Sequence, residues 1–369
     1  MKRGIVVFLT YMFVIVGSFA NAQNLFSGFE QLFTPVRNYV VYQTISEIEI
    51  DGKINDASWE NAAWTEVFLD IEGEKMPKPL HQTRVKMLWD EENIYILAEL
   101  EEPHVWAYYE KHDMIVFNEN DFEIFIDPNG DAQNYFEIEV NAQNTIFDLF
   151  MPQPYRDGGV PFIAWNTPGL KSAIHVDGTI NNSANQDKKW TVEMAIPFSA
   201  FQLGTVSQTP GDNQIWRINF SRVQWQTEIK DGVYHRKTDA ATGRILPEYN
   251  WVWSPQGIIN MHYPEKWGMI QFSKNRVDGE KIDFQNSTLS ELQKYLWLVY
   301  YKQKKYQAEN GKYATDLSGI SIPETINNGF AGTLNFELVA TPYQFMLFLT
   351  SENGTKMSVN ENGVIRKLK

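Results

Sequence analysis

Hydrophobic and polar residues alternate along most of the first three quarters of the chain. The clearest case is residues 121–141, where two alternating runs flank a Pro-Asn-Gly-Asp turn. The apolar positions of these runs are Phe122, Ile124, Ile126, Phe136, Ile138 and Val140. A period of two is typical of strands with one buried face. Similar runs recur at short spacings with few helical stretches, which predicts an antiparallel β-sandwich over residues 44–273.

The pattern changes beyond residues 274–287, a polar stretch that we interpret as a linker. Apolar residues then recur every three or four positions, which is typical of an amphipathic helix that ends near Gly311. Three alternating segments follow, and Asn362-Gly363 in the last of them is a tight hairpin signal. The sequence therefore predicts a mainly β protein, in which residues 288–369 form a small α+β domain after the sandwich.

The N-terminal residues have the organisation of a secretory signal peptide. Lys2 and Arg3 precede sixteen mostly apolar residues and an Ala-Asn-Ala site at residues 20–22. We expect cleavage after Ala22, which leaves residues 23–43 as an N-terminal extension. No later segment has eighteen uninterrupted apolar residues, so we expect a chain that does not span a membrane. The expected location is the periplasm, the outer surface or the medium.

The net charge and the cysteine content limit the classes of ligand and partner that the chain can bind. The net charge is −14, and no cysteine is present. From Asn286 onward the chain has nine Lys/Arg and seven Asp/Glu, so the acidic excess belongs to the predicted sandwich. Because an acidic surface repels phosphates, we expect no nucleic-acid partner. Neutral ligands such as sugars, and Ca²⁺, remain compatible with it, whereas cysteine-based metal sites are excluded.

Five ordered segments resemble a known family. IEIDGKINDASWENAAW carries the pattern DG-x-x-x-D-x-x-W-x-x-A, here at Asp51, Gly52, Asp56, Trp59 and Ala62. It is followed in order by VKMLWDEENIYILAEL, NENDFEIFIDPNGDAQNYFEIEVNAQNTIFD, VDGTINNSANQDKKWTVEMAIPF and RINFSRVQW…NWVWSPQGIINMHYPEKWGMIQF. Residues 44–273 thus resemble the family 9 carbohydrate-binding module and its relatives. The resemblance implies a β-sandwich that binds polysaccharide ends or oligosaccharides, with two tryptophans around a sugar ring and calcium ions supporting loops.

The C-terminal unit resembles the globular part of a type IV pilin. The segment LWLVYYKQKKYQAENGKYATDL is similar to a pilin-like helix and its following turn. The hydrophobic helix through which pilins polymerise is missing from it. The resemblance implies an appended packing or adaptor domain, so residues 288–369 are a candidate surface for a protein partner.

Candidate sugar-binding residues come from loops and strand ends. Aromatic faces stack on the C–H groups of a sugar, and planar polar side chains bind its hydroxyls. The chain has twelve tryptophans, and those on connections are the better candidates. The predicted ligand-binding residues are Trp106, Trp165, Asn166, Arg222, Trp225 and Trp253, with Trp106 and Trp165 as the main platforms. Packing is the alternative for each tryptophan, and an ion pair is the alternative for Arg222.

The turn after the first run of the hairpin is a candidate metal site. Asp127, Asn129 and Asp131 offer oxygen ligands at alternate positions, as at the start of an EF-hand loop. The closing glutamate of such a loop is missing, because Ile138 stands in its place. A structural calcium ion is therefore one interpretation, and an acidic turn without metal is the other.

Catalysis has little support in the sequence. No H-E-x-x-H, G-x-S-x-G or phosphate-binding glycine loop is present. A glycoside hydrolase needs two opposed carboxylates, for which the candidates are Asp121, Glu123, Asp127, Glu137 and Glu139. However, the alternation predicts that Glu137 and Glu139 lie on a solvated strand face. The leading hypothesis is an exported, non-catalytic carbohydrate-binding protein, with a glycoside hydrolase or another component of a carbohydrate-degrading system as the alternative.

A haem-binding sandwich and a structural adaptor are further alternatives. Met261 and His262 are the residue types through which similar sandwiches bind haem. As neighbours in a predicted strand they would point to opposite faces and could not share one iron. We therefore expect no haem.

Overall fold

The computed structural model describes residues 25–202 and 209–368. The predicted signal peptide and its cleavage site lie outside these residues. The described chain divides into two compact units, which we call the large unit (residues 34–202, 209–287 and 362–364) and the small unit (residues 25–33, 288–361 and 365–368). No helix in the described ranges combines the length and the apolar character needed to cross a membrane.

The large unit is built almost entirely of strands. Its one α-helix, α1, is Ala57–Asn61. Its strands are β1 Asn38–Gln43, β2 Leu69–Asp70, β3 Thr83–Trp89, β4 Asn93–Glu101, β5 Asp121–Asp127, β6 Tyr135–Asn141, β7 Ile146–Met151, β8 Lys171–Asp177, β9 Lys189–Pro197, β10 Ile215–Gln224, β11 Thr227–Lys230, β12 Val233–Arg236, β13 Tyr249–Val252 and β14 Gly268–Arg276.

Twelve of these strands form one sheet. Its order is β7-β6-β5-β10-β14-β1-β3-β4-β9-β8, with β13 paired to β10 and β2 paired to β13, while β11 and β12 form a separate hairpin. Ile124 of β5 and Ile96 of β4 belong to the same buried cluster although four strands lie between β5 and β4 in this order. The sheet therefore curls around one hydrophobic core, and the predicted β-sandwich class is confirmed.

Both ends of the large unit differ from the predicted boundaries. Residues 38–43, predicted as part of an extension, form β1, which pairs in parallel with both β14 and β3. Residues 25–33 instead pack in the small unit, where Phe29 stacks on Tyr301. The predicted linker begins inside β14, and Ile282 donates its backbone N–H to the Tyr42 hydroxyl at 2.7 Å. Polar composition alone did not show these backbone contacts.

The glutamate Glu193 explains the spacing of the DG pattern. Its carboxylate on β9 accepts the backbone N–H groups of Asp51 and Gly52 at 2.9 and 2.8 Å, and the indole N–H of Trp59 at 2.8 Å. Gly52 has φ +80°, and a Cβ there would lie 2.8 Å from the backbone nitrogen of His175. The turn thus needs glycine both for its dihedral angle and for its close approach to β8.

The small unit combines one helix with a five-stranded antiparallel sheet. Helix α2, Thr288–Asn310, packs against two central strands of the sheet. The strands are β15 Thr325–Asn328, β16 Gly332–Ala340, β17 Phe345–Ser351, β18 Lys356–Asn360 and β19 Ile365–Leu368. The predicted hairpin signal Asn362-Gly363 lies between β18 and β19, with Gly363 at φ +69°. The predicted small α+β domain is therefore confirmed.

Candidate binding groove

A groove of about 360 Å³ lies on the face of β5, β6 and β7 that points away from the core. We call it the outer groove. Its side chains come from these strands, from the end of β10 and from three loops. They include Phe117, Glu123, Phe125, Glu137, Glu139, Tyr155, Ile163, Met261 and His262. The volume is within the range of small-molecule binding sites.

Three acidic side chains, Glu123, Glu137 and Glu139, line the floor of the groove, and the buried Asp121 lies beside them on the same face. We call these four side chains the carboxylate cluster. Glu123 lies directly opposite Glu139 in the β5–β6 pair. Oxygen atoms of Asp121, Glu123 and Glu139 all lie within 4.8 Å of one another. Like charges in directly opposed positions destabilise a sheet, so this arrangement is costly unless something compensates for it.

The predicted solvent exposure of Glu137 and Glu139 is wrong. Glu137 is buried, and Glu139 is only 1% exposed. The strand alternation places both on the face away from the core, as predicted, but loops and apolar side chains such as Phe147 and Leu149 cover that face. A period of two identifies the side of the sheet on which a residue lies, and it carries no information about what covers that side.

Burial raises the pKa values of the carboxylate cluster. It raises the pKa of Glu123 to about 7 and that of Glu137 to about 8. For Asp121 and Glu139, burial and then the charge of Glu123 raise the pKa well above the ordinary value. Removing a carboxylate from water disfavours its charged form, so the cluster as a group retains protons into the neutral range.

Several oxygen atoms of this cluster lack a hydrogen-bond donor. They are Asp121 Oδ2, Glu137 Oε2 and Glu139 Oε2, all buried. Buried acceptors without donors are rare in folded proteins, because each costs a desolvation penalty of about 1–3 kcal/mol. The floor of the outer groove therefore presents acceptors that suit a ligand rich in donors or a cation.

Aromatic side chains form the walls above this floor. Phe117 and Tyr155 are 42% and 44% exposed, so their ring faces are open to a ligand. Tyr155 packs edge-on against His262 with ring centroids 4.4 Å apart. Burial, followed by the charge of Arg156, lowers the pKa of His262 to about 4, which keeps the imidazole neutral at pH 7.

Three of the predicted sugar-binding residues are interior. Trp106 is buried and contacts Tyr108. Trp253 is 0% exposed and lies over Gly268, where a Cβ would come 2.3 Å from its ring. Arg222 is buried and forms an ion pair with Glu102 at 3.0 Å, the alternative interpretation given above. None of these side chains presents a surface on which a sugar could stack.

The other three predicted residues lie near the groove but form no shared site. Trp225 is half-buried, and its indole N–H donates to the backbone oxygen of Phe117 at 2.9 Å, which places it beside the groove wall. Trp165 and the exposed Asn166 follow Ile163 of the groove, but the Trp165 ring packs on Phe136 in the core. The exposed aromatic residues of the groove, Phe117 and Tyr155, were not predicted, because tryptophan is the commoner sugar-stacking residue and carried the prediction.

The acidic turn predicted as a metal site is closed by its own hydrogen bonds. The buried Asp127 carboxylate accepts the backbone N–H groups of Gly130 and Ala132 at 2.9 and 2.8 Å. The Asn129 amide donates to Asp131 at 2.9 Å. These bonds account for the Asp-x-Asn-x-Asp spacing without an ion, and a calcium ion at the turn stays a prediction.

The dipeptide Met261-His262 lies in a loop rather than in the predicted strand. Both side chains therefore line the outer groove instead of pointing to opposite faces. Both are engaged by protein groups: the Gln256 amide donates to Met261 Sδ at 3.1 Å, and the Tyr135 hydroxyl lies 2.9 Å from His262 Nδ1. These contacts give the two side chains a packing role at the groove.

A second depression, of about 880 Å³, is larger but wider open. Its lining includes Glu47, Glu49, Asp56 and Lys171, and no aromatic side chain. Ile48, Ile50 and Leu170 are its apolar side chains. Because it is wide open and has no aromatic ring on which a ligand could stack, it is the poorer candidate for a small-molecule site.

Residues 50–231 match the family described as carbohydrate family 9 binding domain-like. The chain contains a family 9 carbohydrate-binding-like domain. The matched region includes β3 to β11 and thus the whole carboxylate cluster, whereas Met261 and His262 come from beyond it. No curated protein matches the chain significantly.

Three solved structures are similar to the chain at 16% identity, and each is covered over 100% of its own length. One is a candidate carbohydrate-binding protein from Bacteroides uniformis, with a TM-score of 0.47 over 65% of this chain. The others are a family 9 carbohydrate-binding module from Caldicellulosiruptor kristjanssonii with cellotriose and with glucose, with TM-scores of 0.39 and 0.38 over 67% and 66% of this chain. Similarity this distant does not position a ligand in the groove.

Proposed function

We propose that this chain is an exported carbohydrate-binding protein whose ligand lies in the outer groove. The observation that carries the proposal is the pairing of open aromatic faces at Phe117 and Tyr155 with buried carboxyl oxygens that lack donors. A sugar supplies both complements, since its C–H face stacks on rings and its hydroxyls donate hydrogen bonds. The family 9-like domain supports the same ligand class.

The groove supports recognition of a chain end or a short oligosaccharide. Its volume of about 360 Å³ suits one or two sugar rings, which is small for a long polysaccharide segment. A hydroxyl that donates to the free oxygen of Glu137 would satisfy a buried acceptor. Hydrogen bonds to charged groups contribute about 1.5–3 kcal/mol each, so a few of them dominate the affinity.

Spacing of the carboxyls supports binding without hydrolysis. Glycosidases place their two carboxyls about 5–5.5 Å or about 6.5–9.5 Å apart, on either side of the bond that breaks. Oxygens of Asp121, Glu123 and Glu139 lie within 4.8 Å of one another, and all three side chains project from one face of the sheet. These three carboxyls therefore lie side by side, which favours a binding role for them. Incubation with oligosaccharides should therefore release no new reducing ends.

Calorimetric titration of the mature chain tests the proposal, after a glycan array has identified the best ligand. Glucose and cellotriose, present in two of the similar structures, are sensible first ligands. Tyr155→Ala removes an open ring and should weaken binding about tenfold, the equivalent of about 1.4 kcal/mol. The control Tyr343→Ala removes a ring that is 87% exposed in the small unit and should bind as the parent does.

Two outcomes would remove the proposal. One is the absence of any sugar binding across plant, algal and host glycans. The other is sugar binding that neither Tyr155→Ala nor Phe117→Ala weakens, since the ligand would then lie outside the outer groove.

The small unit is proposed as the surface for a protein partner. It exposes Phe330 and Tyr343, at loops beside β16 and β17. Replacing both with serine should leave sugar binding intact and abolish association with cells or with the partner. Unchanged association would contradict this role.

A further inference from the structure

When it is ionised, the carboxylate cluster has more negative charge than the protein around it neutralises. In the described ranges, no Lys or Arg forms an ion pair with Asp121, Glu123 or Glu139. The nearest candidate is the neutral His262, whose Nε2 lies 3.9 Å from Glu137. Buried carboxylates are normally paired with a base, hydrogen-bonded by several donors, or bound to a metal ion. The first arrangement is missing for these three residues.

Hydrogen bonding compensates only in part, through the Val223 N–H that donates to Asp121 Oδ1 at 3.3 Å. Asp121 Oδ2 and Glu139 Oε2 are buried and have no donor. Asp121 is 0% exposed, so water in the groove does not solvate it in place of a protein donor. These unpartnered oxygens point to a missing ligand, and they are an observation separate from the clustering of acids.

A neutral oxygen from the neighbouring strand completes the group. Ser221 of β10 lies directly opposite Glu123, so both side chains project from the same face. Its buried hydroxyl lies against the Glu123 carboxylate and stabilises the charged form of that group. Three strands, β6, β5 and β10, thus direct oxygen atoms toward one point.

The spacing of these oxygens suits a divalent cation. Calcium binds oxygen ligands at about 2.3–2.6 Å, so two oxygens on one ion can be separated by at most about 5 Å. The oxygens of Asp121, Glu123 and Glu139 fall within that limit, at 4.8 Å or less. The set contains no nitrogen or sulfur, which favours Ca²⁺ over zinc or copper. Magnesium is less suited, because it requires near-ideal octahedral geometry.

We propose that Asp121, Glu123 and Glu139, with the Ser221 hydroxyl as a neutral fourth ligand, form a Ca²⁺ site beneath the outer groove. The ion supplies the positive charge that the surrounding protein lacks and binds the oxygens that have no donors. This site is distinct from the acidic turn at Asp127. It also stands independently of sugar binding, because its ligands are all protein groups.

The test is a calorimetric titration of the mature chain, stripped with chelator, with CaCl₂ at pH 7.5 and without sugar. We expect one ion per chain and a rise in the thermal unfolding midpoint with Ca²⁺. Glu139→Gln should weaken Ca²⁺ binding by about tenfold or more, since it removes a charged ligand while keeping the shape of the side chain. Asp131→Asn, in the acidic turn, should change binding less than about twofold and serves as the matched control.

Two results would overturn the site. One is no heat of binding and no thermal shift at about 10 mM CaCl₂, which would mean that protons alone neutralise the cluster. The other is binding that Asp131→Asn abolishes and Glu139→Gln leaves intact, which would place the ion at the turn. If Glu139→Gln does not fold, anomalous diffraction from the parent chain soaked with Tb³⁺ decides: a peak among Asp121, Glu123 and Glu139 supports the site, and a peak elsewhere or none contradicts it.

Discussion

Two buried glutamates of the large unit, Glu193 and Glu139, differ in the hydrogen-bond donors that surround them. Glu193 on β9 is fully buried, yet three N–H groups donate to its carboxylate. Glu139 on β6 is equally buried, but its Oε2 has no donor and it faces Glu123 across the strand pair. The Glu193 carboxylate holds the turn at Asp51 and Gly52 and the indole of Trp59 in place, and both of its oxygens accept hydrogen bonds. The arrangement around Glu139 is unfavourable by itself, which is why we assign a ligand to the outer groove.

The largest expected change in the free energy of unfolding comes from replacing Glu193. Glu193→Ala leaves the N–H groups of Asp51, Gly52 and Trp59 without their acceptor, at about 1–3 kcal/mol for each buried donor. We expect the free energy of unfolding to fall by about 4 kcal/mol in urea denaturation. Glu92→Ala on the surface is the control and should have little effect. A loss below about 1 kcal/mol for Glu193→Ala would show that the three bonds are not essential.

The next effect concerns the turn that Glu193 holds. Gly52→Ala combines a positive φ with a contact of 2.8 Å to the backbone of β8, so we expect a loss of about 3 kcal/mol. Gly243→Ala is the matched control, because it has φ +69° and nothing within 4 Å of its Cβ position. That variant should lose about 1 kcal/mol, from backbone strain alone. Equal losses in the two variants would mean that the close approach contributes nothing.

His262 tests whether the protein itself can supply a cation to the carboxylate cluster. Its folded pKa of about 4 lies below the unfolded value, so the neutral ring contributes stability above pH 6.5 that is lost as the pH falls toward 4. We expect this contribution to be about 3 kcal/mol. NMR titration of the imidazole should give a midpoint near 4. A midpoint above 6 would instead identify His262 as a charged partner of Glu137.

The smallest expected effect is a gain in stability rather than a loss. With chelator present at pH 8, Glu139→Gln should raise the free energy of unfolding by about 1 kcal/mol, because it removes a like charge opposite Glu123. Glu193→Gln should lower it, because an amide cannot accept at both of its ends. Urea denaturation of the two isosteric variants measures the contrast. If both variants lose stability to the same degree, the two carboxylates contribute equally, and Glu139 is not destabilising in the absence of a ligand.

Much of the fold follows from the sequence, whereas most of the site does not. The alternation at residues 121–141 predicted which side chains enter the core, because a strand has only two faces. It could not predict the burial of Glu137 and Glu139, since the cover comes from Tyr155, Ile163 and His262 elsewhere in the chain. Sequence position also misplaced Trp106 and Trp253, because loops and strand ends in this sandwich fold their tryptophans inward.

Arg222 and the groove aromatics illustrate the same limit. The ion-pair alternative for Arg222 proved the better description, but its partner Glu102 could not be identified before the strands were paired. Phe117 and Tyr155 carry no sequence signal that separates them from core aromatics. Their significance depends on exposure at a concave surface, which only the folded chain defines.

A crystal structure with the best-binding oligosaccharide tests the central claim most directly. We expect the sugar in the outer groove, with Phe117 or Tyr155 stacked on a ring and a hydroxyl donating to Glu137. A sugar bound elsewhere, for example beside Trp165 and Asn166 or in the open depression near Lys171, would contradict the assignment of the groove.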